Sequence, residues 1–356
     1  MATRAAALGV EVTVICPVSE ARIAFDYPPR VRVQLVRAKP DAISFGAALA
    51  PIQAAVTANA DVLHVNELFG VSVSLLHARR QGLVVSSHNA YLDRFYAAHG
   101  AKKLMYLPLI ALERLSYPRA DRVIIGSEIE RAPVRQLGVA ESRIATIPYG
   151  VEAARFADPH GEQRRAIRAR LGIPEHAQVA LFVGRCVERK KPHVVAEAFR
   201  ALAAENPNFH GVLLGDGDML PSVRQIAGDE SRLHLLGAIS FADLPQYYAA
   251  ADVFTLPSVG EGSISLAVLE AAAAGLPLVL TDDSSGQSAV FEPGRNGERV
   301  ALGDAPDLAR GLRAALAQRA AYGARSRELV EQHFSWDACA KQTVACYEAV
   351  ARERRG

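Results

Sequence analysis

Leu181-Phe-Val-Gly-Arg-Cys-Val-Glu-Arg-Lys-Lys191 is an apolar run that stops at a glycine and turns at once into cations, Arg185 and Lys190 among them. Such a run reads as a buried strand of a parallel sheet, and open α/β sheets bind ligands at the carboxyl ends of their strands. Arginine offers a bidentate fork and lysine a mobile point charge, a pair suited to holding a diphosphate and stabilising it as it departs. Taken alone, the same residues also fit solvated charge after a strand.

Outward from this stretch the pattern repeats. Val179–Gly184, Gly211–Leu214, Leu233–Leu236, Val253–Leu256 and Pro277–Thr281 are short apolar runs separated by longer helical stretches. An earlier series, Val12–Cys16, Val31–Val36, Val62–Val65, Val84–Ser87 and Val123–Gly126, has the same rhythm. Two such series predict an α/β chain with two parallel sheets, each in its own Rossmann-like domain. The 356 residues suit two domains better than one. Ile147-Pro-Tyr-Gly-Val151 and the polar stretch Glu152–Gly161 read as the linker. Ser335 caps a terminal amphipathic helix in which Trp336, Ala340, Val344, Tyr347 and Val350 recur near helical spacing. The expected domains are therefore 1–152 with 335–356, and 153–334.

Thr3–Leu8 reads as the end of a helix stopped by Gly9 that feeds straight into a strand. A doubly wound domain normally opens with a strand and a glycine turn, and that strand lies at the sheet's centre. The expectation is that a βαβ-opening segment of roughly 20 to 30 residues belongs upstream of this helix, with a genuinely shortened domain as the alternative.

A second informative stretch runs from Pro257 to Pro277, where a strand end leads through Ser258-Val-Gly-Glu-Gly-Ser263 into an Ala-rich helix stopped by Gly275. Amides at a helix N-terminus attract anions. Glu261 in the loop is placed to accept sugar hydroxyls, and Glu270 on the helix to accept the two hydroxyls of a ribose. Asp216-Gly-Asp218 spells a metal-binding triplet, but its setting in Leu214-Gly-Asp-Gly-Asp218 favours a plain glycine turn.

Gly184-Arg185 with Lys190, the Glu261–Glu270 segment, Ala120-Asp-Arg-Val-Ile-Ile-Gly-Ser127, Ile147-Pro-Tyr-Gly-Val151 and Phe334-Ser-Trp336 together resemble the retaining GT-B glycosyltransferases of family 4, over nearly the whole length. The resemblance implies a GT-B fold, two Rossmann-like domains facing across a cleft, and transfer of a sugar from a nucleotide-sugar donor to the hydroxyl of a glycan, lipid or small molecule. It implies that Arg185 and Lys190 hold the donor diphosphate without a metal or other cofactor, that Glu270 binds ribose, and that Glu261 contacts the sugar. Gly184, Gly215, Gly217, Leu236, Gly262, Ser263 and Leu266 are carried over as further donor-site positions. On the acceptor side it implies His88, just past the strand Val84-Val-Ser-Ser87, and Glu67, which follows the strand ending His64-Val-Asn66 and would touch the acceptor or His88. Two departures stand out: Glu261 and Glu270 are nine positions apart where the family has eight, and Lys191 stands where relatives often have glycine. A sugar-nucleotide epimerase, a sugar phosphorylase, or a nucleotide-sugar-binding remnant remain alternatives.

Composition narrows the partners. A formal charge of +2 and the lack of any basic run interleaved with aromatics argue against nucleic acid. Four scattered cysteines favour a cytoplasmic setting, and no apolar run is long enough to span a membrane. Arg164, Arg165, Arg168 and Arg170 read as a solvated helix face. Lys102–Ile110 reads as a packed helix, with contact to an inner membrane surface as the alternative.

Overall fold

The computed structural model describes residues 1–18, 28–37, 53–55, 57–66, 81–87, 100, 102–158, 160–259, 263–281 and 286–355. They divide into two compact units, Met1–Tyr149 with Trp336–Gly356, and Gly150–Ser335.

In the second unit, six parallel strands run in sequence as β7 (Gln178–Val183), β8 (Phe209–Leu214), β9 (Leu233–Leu235), β10 (Val253–Leu256), β11 (Leu278–Thr281) and β12 (Gly297–Val300). Their spatial order is β12-β11-β10-β7-β8-β9. Counted from the unit's own first strand, this is the doubly wound order 3-2-1-4-5-6, whose direction reverses between β7 and β10. The strands β7, β8, β10 and β11 are almost wholly buried, as a sheet covered by helices on both faces requires. The edge strand β12 has no long apolar run, and nothing in the sequence marked it as a strand.

The arginines after Pro159 correct the sequence reading. They lie on helix α4 (Glu162–Arg170), where Arg168 is fully buried. Its guanidinium pairs with Asp252 at 2.7 Å and donates to the carbonyls of Ala250, Glu175 and Ala177. Arg164 holds the other Asp252 oxygen at 2.7 Å. A buried carboxylate just before β10 needs cations close by, and the helix turns two of its arginines inward to supply them.

In the first unit, β1 (Val12–Val18) pairs in parallel with β2 (Val31–Arg37), while β3 (Val62–Asn66), β4 (Gly82–Ser87), β5 (Arg122–Ile125) and β6 (Ile144–Thr146) form a separate parallel sheet in that order. Helix α1 (Ala2–Ala7) precedes β1 and ends at Gly9, whose φ of 95° is left-handed. Leu63, Val65, Leu83, Val85, Val123 and Ile125 pack one face of the four-stranded sheet against Ile110, Tyr117 and Val134. On the other face Val84, Ile124 and Ile147 meet Cys339 and Val350 of the terminal helix α11 (Trp336–Arg355). A Cβ on Gly82 would stand 2.2 Å from Val350, so that helix approaches only because residue 82 is glycine. His64 ties β3 to both neighbours, reaching Tyr347 Oη at 2.5 Å and Ser86 Oγ at 2.7 Å.

The outer edges of β1 and β3 both line a cavity of about 1620 Å³ within this unit. Among the described residues neither edge pairs with another strand. Helix α2 (Lys102–Ser116) packs through Ile110, Tyr106 and Leu112, but Leu104, Met105 and Leu107 face outward, so the packed-helix reading holds for one face only.

Candidate functional site

At the point where the order of the second sheet reverses, the chain leaves β7 through Gly184, Arg185 and Cys186. It then makes a 3-10 turn over Glu188–Lys190 and enters helix α5 (Pro192–Glu205). The turn buries Lys190 and leaves Arg185 exposed. Lys191 is the only non-glycine residue with positive φ among those described, at 49°. A left-handed backbone is the physical reason for a glycine preference there, and Lys191 occupies it with its ammonium paired to Glu188 at 2.5 Å.

The loop after β8 is laced onto the loop after β7. Gly184 N–H donates to Leu214 O (3.0 Å), Cys186 N–H to Asp216 O (2.8 Å), and Met219 N–H to Cys186 O (2.9 Å). A Cβ on Gly215 would lie 1.8 Å from the Gly184 oxygen, and one on Gly217 would lie 2.5 Å from the Cys186 oxygen. Both glycines also have φ near +140 to +150°, so no other residue fits either place without strain. Gly215 N–H donates to Gly237 O at 2.7 Å, which brings Leu236 and the end of β9 alongside. Asp216 accepts from the N–H of Gly217 at 2.7 Å, as a turn residue does.

The third loop follows β10. Val259 N–H donates to Arg189 O at 3.0 Å, and Thr281 Oγ1 donates to Ser258 O at 2.6 Å, fixing this loop to the cation turn and to β11. Ser263 is buried ahead of helix α8 (Leu266–Ala273), and among the described residues its hydroxyl has no hydrogen-bond partner. Leu266, at the start of that helix, is exposed.

Glu270, on the same helix, is buried and accepts a 2.8 Å hydrogen bond from the phenol of Tyr248, which lies on helix α7 (Leu244–Ala250). Burial pushes the Glu270 carboxyl above the usual carboxylate range, against the opposing pull of Tyr248 and the Arg155 guanidinium. Tyr248 is itself wedged edge-on against Phe156, with ring centroids 5.5 Å apart. Arg155 stacks over Phe241 at 3.8 Å. Such a carboxylate has capacity left to accept from a diol. Sequence reasoning missed Tyr248 and Arg155, since neither lies in a glycine loop or at a strand end.

Of the residues expected from sequence, Gly184, Arg185, Lys190, Gly215, Gly217, Leu236, Ser263, Leu266 and Glu270 all belong to the loops and helix just described. Glu261, Gly262, Glu67 and His88 lie outside the described residues. No group of three metal-ligating side chains occurs among the described residues.

Residues 1–155 match the family model of Glycosyltransferase Family 4, and residues 177–318 match that of Glycosyl transferases group 1. A D-inositol 3-phosphate glycosyltransferase of a Nocardioides species is 31% identical over 319 residues, which cover 83% of this chain and 68% of that protein. The chain spans 58%, 54% and 53% of the length of the first curated relatives it matches, all D-inositol 3-phosphate glycosyltransferases. Sucrose-phosphate synthase from Thermosynechococcus elongatus is similar in structure, with a TM-score of 0.83 at 22% identity over 99% of this chain and 92% of that one. Anabaena HepE in complex with UDP and glucose has a TM-score of 0.74 at 19% identity, covering 96% of this chain and all of that one. At these identities the likeness carries the fold, the GT-B class expected from sequence.

Proposed function

This chain belongs to glycosyltransferase family 4, and we propose that it moves a sugar from a nucleotide-sugar donor to an acceptor hydroxyl with retention of configuration. The observation that carries the reading is the convergence of three loops at the switch point of the second sheet, the last of them leading into the helix of Glu270, where a doubly wound sheet takes its ligand. In this reading Arg185 and Lys190 neutralise the departing diphosphate, so that charge is stabilised by fixed cations rather than by a metal. Glu270 accepts the ribose hydroxyls, Glu261 contacts the sugar, and His88 and Glu67 serve the acceptor. The UDP in the HepE complex makes a uridine diphosphate sugar the first donor to try.

The test is transfer itself. Binding to a panel of UDP-, GDP- and ADP-sugars, read as a thermal shift, selects the donor. Product analysis then decides the reaction: a glycoside of unchanged anomeric configuration supports the reading, whereas an isomerised nucleotide sugar or a sugar phosphate would make the chain an epimerase or a phosphorylase. Lys190→Ala should lower transfer roughly a hundredfold or more while the far-UV circular dichroism is unchanged. Turnover near that of the unaltered chain would remove Lys190 from the mechanism.

A further inference from the structure

Helix α2 is apolar on two faces: Tyr106, Ile110 and Leu112 pack on the core, and a second apolar set lies outside. Leu104, Leu107, Ala111 and Leu115 recur at helical spacing (i, i+3, i+7, i+11) and form one stripe along its length, joined by Met105 at the N-terminal end. That stripe faces solvent, with Leu104 67% exposed, Met105 65%, Leu107 48% and Leu115 53%. The opposite face carries Glu113 and Ser116, which are 2% and 0% exposed. An ordinary surface helix keeps its outer face polar, because leaving leucine in water raises the free energy.

The charges around the stripe choose its partner. Lys103 and Arg114 lie on the flank beside Leu107, so both charged residues along that rim are cations. The helix has one carboxylate, Glu113, half a turn away from Leu104 and buried. An apolar stripe with a basic rim matches the boundary of an anionic bilayer, where leucine enters the acyl layer and lysine and arginine reach phosphate. A second copy of the same face would bring no opposite charge to that rim. Among the described residues no helix is long and apolar enough to cross a membrane, so the contact is with the surface.

We propose that the exposed face of α2, through Leu104, Met105, Leu107 and Leu115 with Lys103 and Arg114 at its rim, docks the protein on a membrane surface rich in anionic lipid. The contact belongs to the first unit and the donor loops to the second, and its test does not depend on turnover.

The experiment is flotation of the whole protein with vesicles of phosphatidylcholine mixed with phosphatidylglycerol, compared with phosphatidylcholine alone. Binding is expected only with phosphatidylglycerol present and should weaken as salt is raised. The double variant Leu104→Glu, Leu107→Glu should bind at least about tenfold more weakly, and Arg114→Ala about fivefold. Both changes are at exposed positions, and circular dichroism checks that each variant is folded. No binding to anionic vesicles, or equal binding by the folded double variant, overturns the proposal. Overturning it too would be a concentration-dependent dimer of the unaltered chain that the double variant abolishes, because the face would then be covered by a second copy.

Discussion

The phenol of Tyr248 donates a 2.8 Å hydrogen bond to the carboxylate of Glu270 across two helices, and both side chains are buried. The bond fixes the rotamer of the carboxylate and favours its charged form. Tyr248→Phe should therefore weaken nucleotide binding several-fold and leave the fold intact, since the ring still packs on Phe156. It should also move the midpoint of the pH dependence of nucleotide binding upward, because the carboxyl loses a group that held its pKa down. Calorimetric titration of the nucleotide at several pH values checks both; an unshifted midpoint would sever Tyr248 from Glu270.

Glu270 has a cost in stability. Its folded pKa is raised by burial, so the native state holds the proton more tightly than the unfolded chain does. The stability that follows from this is fully present below the unfolded pKa and is lost as pH rises through the raised one. Glu270→Gln removes the buried charge and should raise the melting temperature at neutral pH while weakening nucleotide binding. A variant that loses both would show the carboxylate to be structural.

Gly215→Ala should destabilise by at least about 3 kcal/mol, because the new methyl would meet the Gly184 oxygen at 1.8 Å on a backbone with φ of 139°. Gly172→Ala is the matched control: it closes helix α4 with an ordinary left-handed φ of 66° and nothing lies within 4 Å, so the cost there is about 1 kcal/mol. Urea denaturation of the two variants measures the difference. Equal midpoints would mean that the lacing of the two donor loops contributes little.

His210 and His234 bring their ring nitrogens to 3.2 Å, a distance at which one ring donates and the other accepts. Burial first, then the charges of His234, Arg232 and Arg168 against that of Glu230, lower the His210 pKa from 6.5 to about 4. The unfolded chain then binds more protons than the native one between those values, so stability rises with pH across this window and falls as pH drops from 6.5 towards 4. The full effect is on the order of 2–3 kcal/mol. His210→Gln should flatten the profile of unfolding free energy against pH there, and a profile of unaltered slope would place the titration elsewhere.

Much of this protein is local and so was written in its sequence. Runs such as Val179–Gly184 and Val253–Leu256 declare buried parallel strands by their unbroken apolar character, and they lie where expected. Gly184, Arg185 and Lys190 follow a strand end in the chain itself, so their place at the switch point needed only the order of elements. The short strands Ile144–Thr146 and Gly297–Val300 escaped notice because edge strands carry little apolar signal. His88 and Glu67 remain expectations of sequence alone. What only the tertiary structure decided is who meets whom across long separations. Asp252 draws Arg164 and Arg168 inward from a helix that reads as solvated, and Tyr248 reaches Glu270 from another helix. Helix α2 turns Leu104, Leu107 and Leu115 outward and buries Glu113. Periodicity along a chain records which side chains are apolar and how they are spaced; which face is buried, and against what charge, is fixed only when distant segments pack.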